Sequence, residues 1–179
     1  MTENFEIEIK AWCRGFEPVV RLLEEMGARR GETKNEKDTY YSHPVRNFAE
    51  TDEALRVRES GGKAVLTYKG PKISVKAKTR VEHEAVFDDA SSVKRILADL
   101  GFKESGEVNK TRKTYHLNGI EIDLDDVASC GLFVELEKIG SETAAIEAEL
   151  FDLAERLGLE HFERRSYLEL LLGKAKAPF

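Results

Sequence analysis

The chain is poor in the residues that carry redox and transition-metal chemistry. Its 179 residues include two cysteines and four histidines. Cys13 and Cys130 are far apart and in no metal-ligand spacing, which reads as reduced thiols of the cytosol and not as a disulfide framework or a zinc module. There is no excess of positive charge: Lys+Arg total 28 against Asp+Glu 34, a net of -6. That balance argues against a general nucleic-acid binder and leaves room for a local basic pocket. No apolar run is long enough to span a membrane, and the acidic N-terminus is unlike a signal peptide. A cytoplasmic protein without membrane association is therefore expected. A glycine-rich phosphate loop, G-x-x-x-x-G-K-[ST], is also missing, so any phosphate binding falls to side chains.

What is present is charge in a repeating pattern. Charged residues make up 35% of the chain and apolar ones 41%, enough for a core. The length predicts one domain over 1–179, with barrel strands over about 3–138 and C-terminal helices over about 142–173. Phe5, Ile7 and Ile9 alternate with Glu6, Glu8 and Lys10, which puts the two sets on opposite faces of a strand. The same alternation recurs at 55–59, with Arg56 and Arg58 on one face; the return strand after Gly61-Gly62 ends at Lys69. A long strand over 74–87 places Lys76, Lys78, Arg80, Glu82 and Glu84 together. Around Asn118-Gly119, extended segments carry Lys110 and Arg112, then Glu121, Asp123 and Asp125. A last strand over 132–137 carries Glu135 and Glu137.

Helices are predicted where apolar stripes recur: Val19, Leu22, Leu23 and Met26, closed by Gly27; Val93, Ile96, Leu97 and Leu100, closed by Gly101; and Ile146, Leu150, Leu153, Ala154 and Leu157, capped by Ser141. Ser166 begins a short last helix. His43 to Glu53 reads as a loop. Residues 26–41 align without gaps on 100–115, an offset of 74, matching Gly27 with Gly101, Asn35 with Asn109 and Tyr41 with Tyr115. With the same order of elements in both halves, a pseudo-twofold barrel is expected.

Strands with one apolar and one charged face suit either an open sheet washed by solvent or a closed barrel with a charged lumen. The sorting of charge by sign favours the barrel. Acidic residues concentrate on the first and last strands and basic ones on the middle strands. Clustered carboxylates are hard oxygen ligands suited to Mg²⁺ or Mn²⁺, which bridge phosphate oxygens, and arginine and lysine opposite them grip phosphates. His83, on the apolar-side register, reads as a partly buried structural histidine. Asp125 reads as a turn cap.

The run Glu6-Ile7-Glu8-Ile9-Lys10 meets the pattern E-x-E-x-K. Together with Asp38-Thr39-Tyr40-Tyr41, Leu55-Arg56-Val57-Arg58, Lys69-Gly70-Pro71, the segment Asn109 to Tyr115 and Gly131 to Glu137, it resembles the CYTH superfamily of triphosphate tunnel metalloenzymes. The resemblance implies an α+β fold: a closed eight-stranded antiparallel barrel with helices outside, around a triphosphate. It implies Mg²⁺ or Mn²⁺ on Glu6, Glu8, Asp123, Glu135 and Glu137. It implies phosphate binding by Lys10, Arg56, Arg58, Lys69, Lys78, Arg80, Lys110 and Arg112, with Lys10, Glu8 and Arg112 the expected catalytic groups and no general base assigned. Arg46-Asn47-Phe48-Ala49, the K-x-R-x-x-Y block and Ser166 to Leu171 look most like the class IV adenylyl cyclase branch, which converts ATP to cyclic AMP and pyrophosphate. A triphosphatase acting on thiamine triphosphate, inorganic tripolyphosphate or a nucleotide is the alternative, and a non-catalytic polyphosphate-binding module a second one. The partner is a small-molecule triphosphate, neither nucleic acid nor membrane; a homodimer is compatible with the sequence.

Overall fold

The computed structural model describes residues 5–71 and 78–179, with Lys78 placed by its backbone alone. Lys76 and the side chain of Lys78 lie outside the described residues. Nine strands are described: β1 (Phe5–Cys13), β2 (Arg29–Ser42), β3 (Ala54–Ser60), β4 (Lys63–Lys69), β5 (Lys78–Arg80), β6 (Glu82–Phe87), β7 (Lys103–Leu117), β8 (Ile120–Val127) and β9 (Gly131–Gly140). Five helices accompany them: α1 (Glu17–Glu25), α2 (Phe48–Thr51), α3 (Ala90–Asp99), α4 (Thr143–Arg156) and α5 (Tyr167–Leu172).

All neighbours are antiparallel, in the order β5-β1-β9-β8-β7-β2-β3-β4-β6. The two ends of this order, β5 and β6, are consecutive in the chain and separated only by Val81. The sheet therefore comes round on itself as a nearly closed barrel. Eight strands were expected, with 74–87 as one of them. The described part of that segment is two strands because it serves two neighbours: β5 pairs with β1 (Glu8 opposite Lys78) and β6 pairs with β4 (Lys69 opposite Glu82). Alternation of side chains does not reveal such a bend, since Arg80 and Glu82 stay on the same face across it.

Both faces of β1 are buried, which separates the barrel from the open sheet. Ile7 and Ile9 lie in the outer core under α4, while Lys10, on the opposite face, is only 2% exposed. Burying one apolar side chain of this size contributes roughly 1.5–3 kcal/mol, so the layer of α1 and α4 over β1, β8 and β9 is the main apolar core. A second, smaller cluster under α3 contains Tyr41, Leu55, Val57, Val93 and Leu97. A third joins Trp12, Phe133, Val108 and Val127 to Tyr167 and Leu170 of α5.

The expected repeat is present in three dimensions. Val19 and Leu23 of α1 are buried, as are Val93 and Leu97 of α3 at the same offset of 74. Each helix is followed by a glycine in the left-handed region, Gly27 at φ 75° and Gly101 at φ 86°. The strand order is itself symmetric: β1, β2, β3 and β4 take the places that β6, β7, β8 and β9 take in the other half. The pseudo-twofold passes between β2 and β7, where Glu36 lies opposite Lys110, its own equivalent.

Several local expectations change. Within 43–53 there is one turn of helix, α2, started by the Asn47 side chain accepting from the Ala49 amide and ended by Asp52 at φ 56°. Ser141 does not cap α4; Glu142 stands at its N-cap without a side-chain bond. Ile96 and Leu100 belong to the apolar stripe of α3 by spacing yet are exposed, and Val93 and Leu97 are the residues that α3 buries. His83 points outward and is exposed, stacked on Tyr68 at 6.3 Å between ring centroids. The tight turns follow the sequence: Gly61-Gly62 and Asn118-Gly119 all have positive φ.

Candidate active site

The inner face of the barrel carries charge on every long strand. Lys69, on β4, is within 3.4 Å of Glu6 on β1 and pairs with Glu82 on β6. Arg56 and Arg58, on β3, converge on Asp38 of β2. Arg58 Nε and Nη2 donate to the two oxygens of Asp38 at 2.7 and 2.8 Å, and Arg56 Nη1 reaches it at 3.4 Å. Arg58 also lies 3.1 Å from Glu36. Arg56 Nη2 donates to Thr67, which donates to Glu84.

On the other side Asp125 takes the role Asp38 plays. It is fully buried, not a turn cap. It accepts from Lys110 at 2.9 Å, from Arg112 Nε at 2.7 Å and from the Tyr167 hydroxyl at 2.9 Å. Arg112 reaches Asp123 at 2.6 Å and pairs with Glu135; Thr114 donates to Asp123 at 2.6 Å. Lys10 lies 3.8 Å from Glu135, donates to the Arg165 carbonyl at 2.6 Å and sits 4.1 Å from the centre of the Tyr167 ring. The C-terminal segment thus touches the charged interior. Residues 161–163 pair with Lys10 and Trp12 at the edge of β1 beyond β5, through Trp12 N to His161 O at 2.9 Å and Glu163 N to Lys10 O at 2.7 Å.

The two halves share geometry and invert charge. Asp38 with Arg58 in the first half corresponds to Arg112 with Asp125 in the second, each a two-pronged ion pair of matching register. By the same pairing Arg56 corresponds to Asp123, Lys69 to Glu137, Glu84 to Lys10, and Arg80 to Glu6. Thr67 matching Glu135, and Glu82 matching Glu8, keep a different rule. The inversion leaves β3, β4 and β5 basic and β8, β9 and β1 mainly acidic, and the two sets meet where β5 pairs with β1 and Lys69 approaches Glu6.

These neighbours set the protonation of the groups. Burial opposes ionisation of Asp38, but Arg56 and Arg58 outweigh it and hold the carboxyl well below its ordinary range. Asp125 is likewise held low against burial by Arg112 and Lys110. Burial, then Arg112, lowers the Lys110 ammonium. Glu6 and Glu137 go the other way. Burial, with repulsion from Glu82 and Glu8 set against the pull of Lys69, raises Glu6 to about 8. Burial and repulsion from Glu6 and Glu8 raise Glu137 to about 9. Burial lifts Asp123 to about 6 against the pull of Arg112.

Among the described residues no three histidine, cysteine or acidic side chains stand ready-gathered for a metal ion. The expected ligands divide into two groups. Glu6, Glu8 and Glu137 influence one another on β1 and β9, and the cost of their shared negative charge is what a divalent cation would remove, so they fit a hard metal. Asp123 and Glu135 are engaged by Arg112 instead. Arg56, Arg58, Lys69, Arg80, Lys110, Arg112 and Lys10 are placed on the inner face, Arg80 by its burial and strand register. Sequence reasoning missed Glu36, Asp38, Thr67, Thr114 and Tyr167. The first two sit on β2, whose outer face at Asn35 and Lys37 is as polar as its inner one, so no alternation marked the register.

The chain belongs to the CYTH domain family, whose model matches residues 4–167. It is 39% identical over 170 residues to the Methanocaldococcus jannaschii protein named "Putative adenylate cyclase MJ0240", covering 92% of this chain and 97% of that one. It is 29% identical over 147 residues to adenylate cyclase CyaB of Aeromonas hydrophila, covering 78% and 73%. The solved structure of PH1819 protein from Pyrococcus horikoshii superposes with a TM-score of 0.87 at 40% identity, covering 94% of this chain and 99% of that one.

Proposed function

We propose that this protein is a divalent-metal-dependent adenylyl cyclase that converts ATP to cyclic AMP and pyrophosphate inside the barrel. The observation that carries the reading is the pair of opposed walls: Arg56, Arg58, Lys69 and Arg80 face an acidic side formed by Glu6, Glu8, Glu137, Glu135 and Asp123. A triphosphate placed between them meets guanidinium and ammonium donors on one side, and on the other carboxylates that hold a metal. Arginine offers its phosphate contacts as a rigid fork, and Asp38 and Asp125 fix the plane of the Arg58 and Arg112 guanidiniums by gripping them through Nε and Nη2. When bound, Mg²⁺ or Mn²⁺ on Glu6, Glu8 and Glu137 supplies positive charge against the phosphate oxygens.

In the reaction the ribose 3′-oxygen forms a bond to the α-phosphorus as the bond from that phosphorus to the bridging oxygen of the β-phosphate breaks. Pyrophosphate carries away the electron pair, and the hydroxyl proton is released to water. The basic wall holds the departing pyrophosphate, where charge builds up, so its cations act more strongly in the transition state than in the ground state. Lys10 and Arg112 are both joined to Glu135 on the acidic wall.

The test is a product assay with ATP and Mg²⁺ or Mn²⁺. Cyclic AMP with an equal amount of pyrophosphate supports cyclisation, and Glu8→Gln should abolish it. Orthophosphate without cyclic AMP makes the protein a triphosphatase. Saturable binding with no turnover makes it a binding module.

A further inference from the structure

One histidine faces the inside of the barrel and has no part in the reaction as drawn above. Tyr115 of β7 is buried in the outer core, whereas Lys110, Arg112 and Thr114 bond to the carboxylates of β8. His116 alternates with Tyr115 and so joins the inner set. It pairs with Glu121 on β8, which lies opposite Glu137 on β9, itself opposite Glu8 on β1. His116, Glu121, Glu137 and Glu8 thus form one row across four strands. Neighbouring strands are about 4.8 Å apart, so the backbone of His116 is roughly 10 Å from that of Glu137, and side chains from both reach one small ligand between them.

The two ends of these four strands differ. Toward one end the inner positions are the apolar Trp12, Phe133, Val127 and Val108, packed with Tyr167 and Leu170 of α5. Toward the other end lies the row of His116, where His116 and Glu121 are partly exposed. The imidazole is placed there to handle a proton. Its Nδ1 lies 3.8 Å from the Glu121 carboxylate, which orients the ring and favours the imidazolium once a proton arrives. A proton on Nδ1 leaves the lone pair of Nε2 free. Beside Nε2 stands Gly31 of β2, where a Cβ would come within 3.3 Å of that nitrogen, so the glycine keeps side-chain atoms away from it. The other charged groups on this part of β2 are Arg29, the pairing partner of His116, and the Lys34–Glu32 ion pair.

We propose that His116 is a catalytic residue of the cyclisation, with Glu121 as its positioning residue. With the phosphates inside the barrel, the ribose lies at the open end beside this row. His116 Nε2 takes the 3′-hydroxyl proton as the 3′-oxygen bonds to the α-phosphorus, and passes it on to water. The bond that breaks is still the one from the α-phosphorus to the bridging oxygen, and pyrophosphate keeps the electron pair. The inference rests on the cyclase reading given above, since hydrolysis leaves the 3′-hydroxyl untouched.

The experiment measures cyclic AMP formation by the full chain, with ATP and Mg²⁺ or Mn²⁺, over a range of pH. His116→Gln should lower kcat about 100-fold or more, leave KM for ATP within about threefold and abolish the acid limb of the kcat profile. His116→Gly should regain activity when imidazole is added, which a merely structural role would not allow. Glu121→Gln should move the acid limb to lower pH, because the carboxylate that favours the imidazolium is gone. His83→Gln, on the outer face, should behave as wild type. Cyclic AMP formation that His116→Gln leaves unimpaired overturns the proposal and leaves the cyclase reading standing, as does a His116→Gly loss that imidazole leaves unrepaired. An acid limb that Glu121→Gln does not move overturns the role given to Glu121. Orthophosphate without cyclic AMP from wild type overturns the proposal and the cyclase reading together.

Discussion

Glu36 and Lys110 are one position of the fold seen twice, with opposite charge, and they lie 3.4 Å apart across the pseudo-twofold. Glu36 also touches Arg58 at 3.1 Å, so one carboxylate ties a cation of each half. Replacing it by glutamine leaves two buried cations short of a counter-charge. Breaking a buried pair on one side costs about 3–5 kcal/mol. Glu36→Gln should therefore unfold at clearly lower urea concentration than wild type, and inorganic tripolyphosphate should return part of the lost stability by supplying the missing negative charge. Stability unchanged by the substitution would mean that the cations do not depend on Glu36.

Glu6 and Glu137 predict how metal-free stability depends on pH. Both are held above the ordinary carboxylate value, at about 8 and about 9. The folded state thus binds protons that the unfolded state has released. Their contribution is complete below the unfolded value, near pH 4.5, and is lost as pH rises through 8 and 9. Asp38 and Asp125, held low, act in the opposite sense and only in acid. The metal-free protein should lose thermal stability steadily from about pH 5 to 9. Mg²⁺ or Mn²⁺ should flatten that loss and release protons on binding, measurable by calorimetry in buffers of different ionisation heat. A flat metal-free profile would show that these carboxylates are more solvated than their burial implies.

Arg56 tests the basic wall. Removing a charge-assisted phosphate contact costs on the order of 2–3 kcal/mol. Arg56→Ala should lower kcat/KM for the triphosphate by roughly 30- to 150-fold. Asp38→Asn should act through the same arginines, since it weakens the anchor of both Arg56 and Arg58 without touching substrate. In the double variant with Arg56→Ala the part of its effect that runs through Arg58 should remain and the part that runs through Arg56 should vanish, so the two losses should be less than additive. Fully additive losses would separate Asp38 from the arginine's function.

The legible parts of this protein are those where one face is apolar. β1 could be read because Phe5, Ile7 and Ile9 mark its outer side and so fix Glu6, Glu8 and Lys10 inside. β8 could be read from Ile120, Ile122 and Leu124. β2 could not, since its middle is polar on both sides and only the register with β3 and β7 turns Glu36 and Asp38 inward. Spacing placed Ile96 and Leu100 on the core stripe of α3, but spacing does not say whether a second layer exists to cover them. Val81 breaks the expected long strand for a reason of closure: its two parts must reach β1 and β4. Asp125 looked like a turn residue because its partners, Lys110, Arg112 and Tyr167, are brought to it only by the closed barrel and α5.

Tyr167 is the clearest case of a contact that only tertiary structure provides, and it carries the last prediction. Its hydroxyl donates to Asp125, and its ring lies 4.1 Å from the Lys10 ammonium and 5.2 Å from that of Lys110. Tyr167→Phe keeps the ring and removes one hydrogen bond to a carboxylate that Arg112 and Lys110 already hold. It should cost about 1 kcal/mol of stability and leave kcat/KM within about threefold. Tyr167→Ala also removes the ring from the cluster of Trp12 and Phe133, and with it the cover over both ammoniums. That variant should lose about 3–5 kcal/mol, as buried aromatic truncations do, and hydrogen exchange at Lys10 to Trp12 should quicken because residues 161–163 are no longer pinned beside them. Equal effects of the two substitutions would assign the whole role of Tyr167 to its hydroxyl and none to its ring.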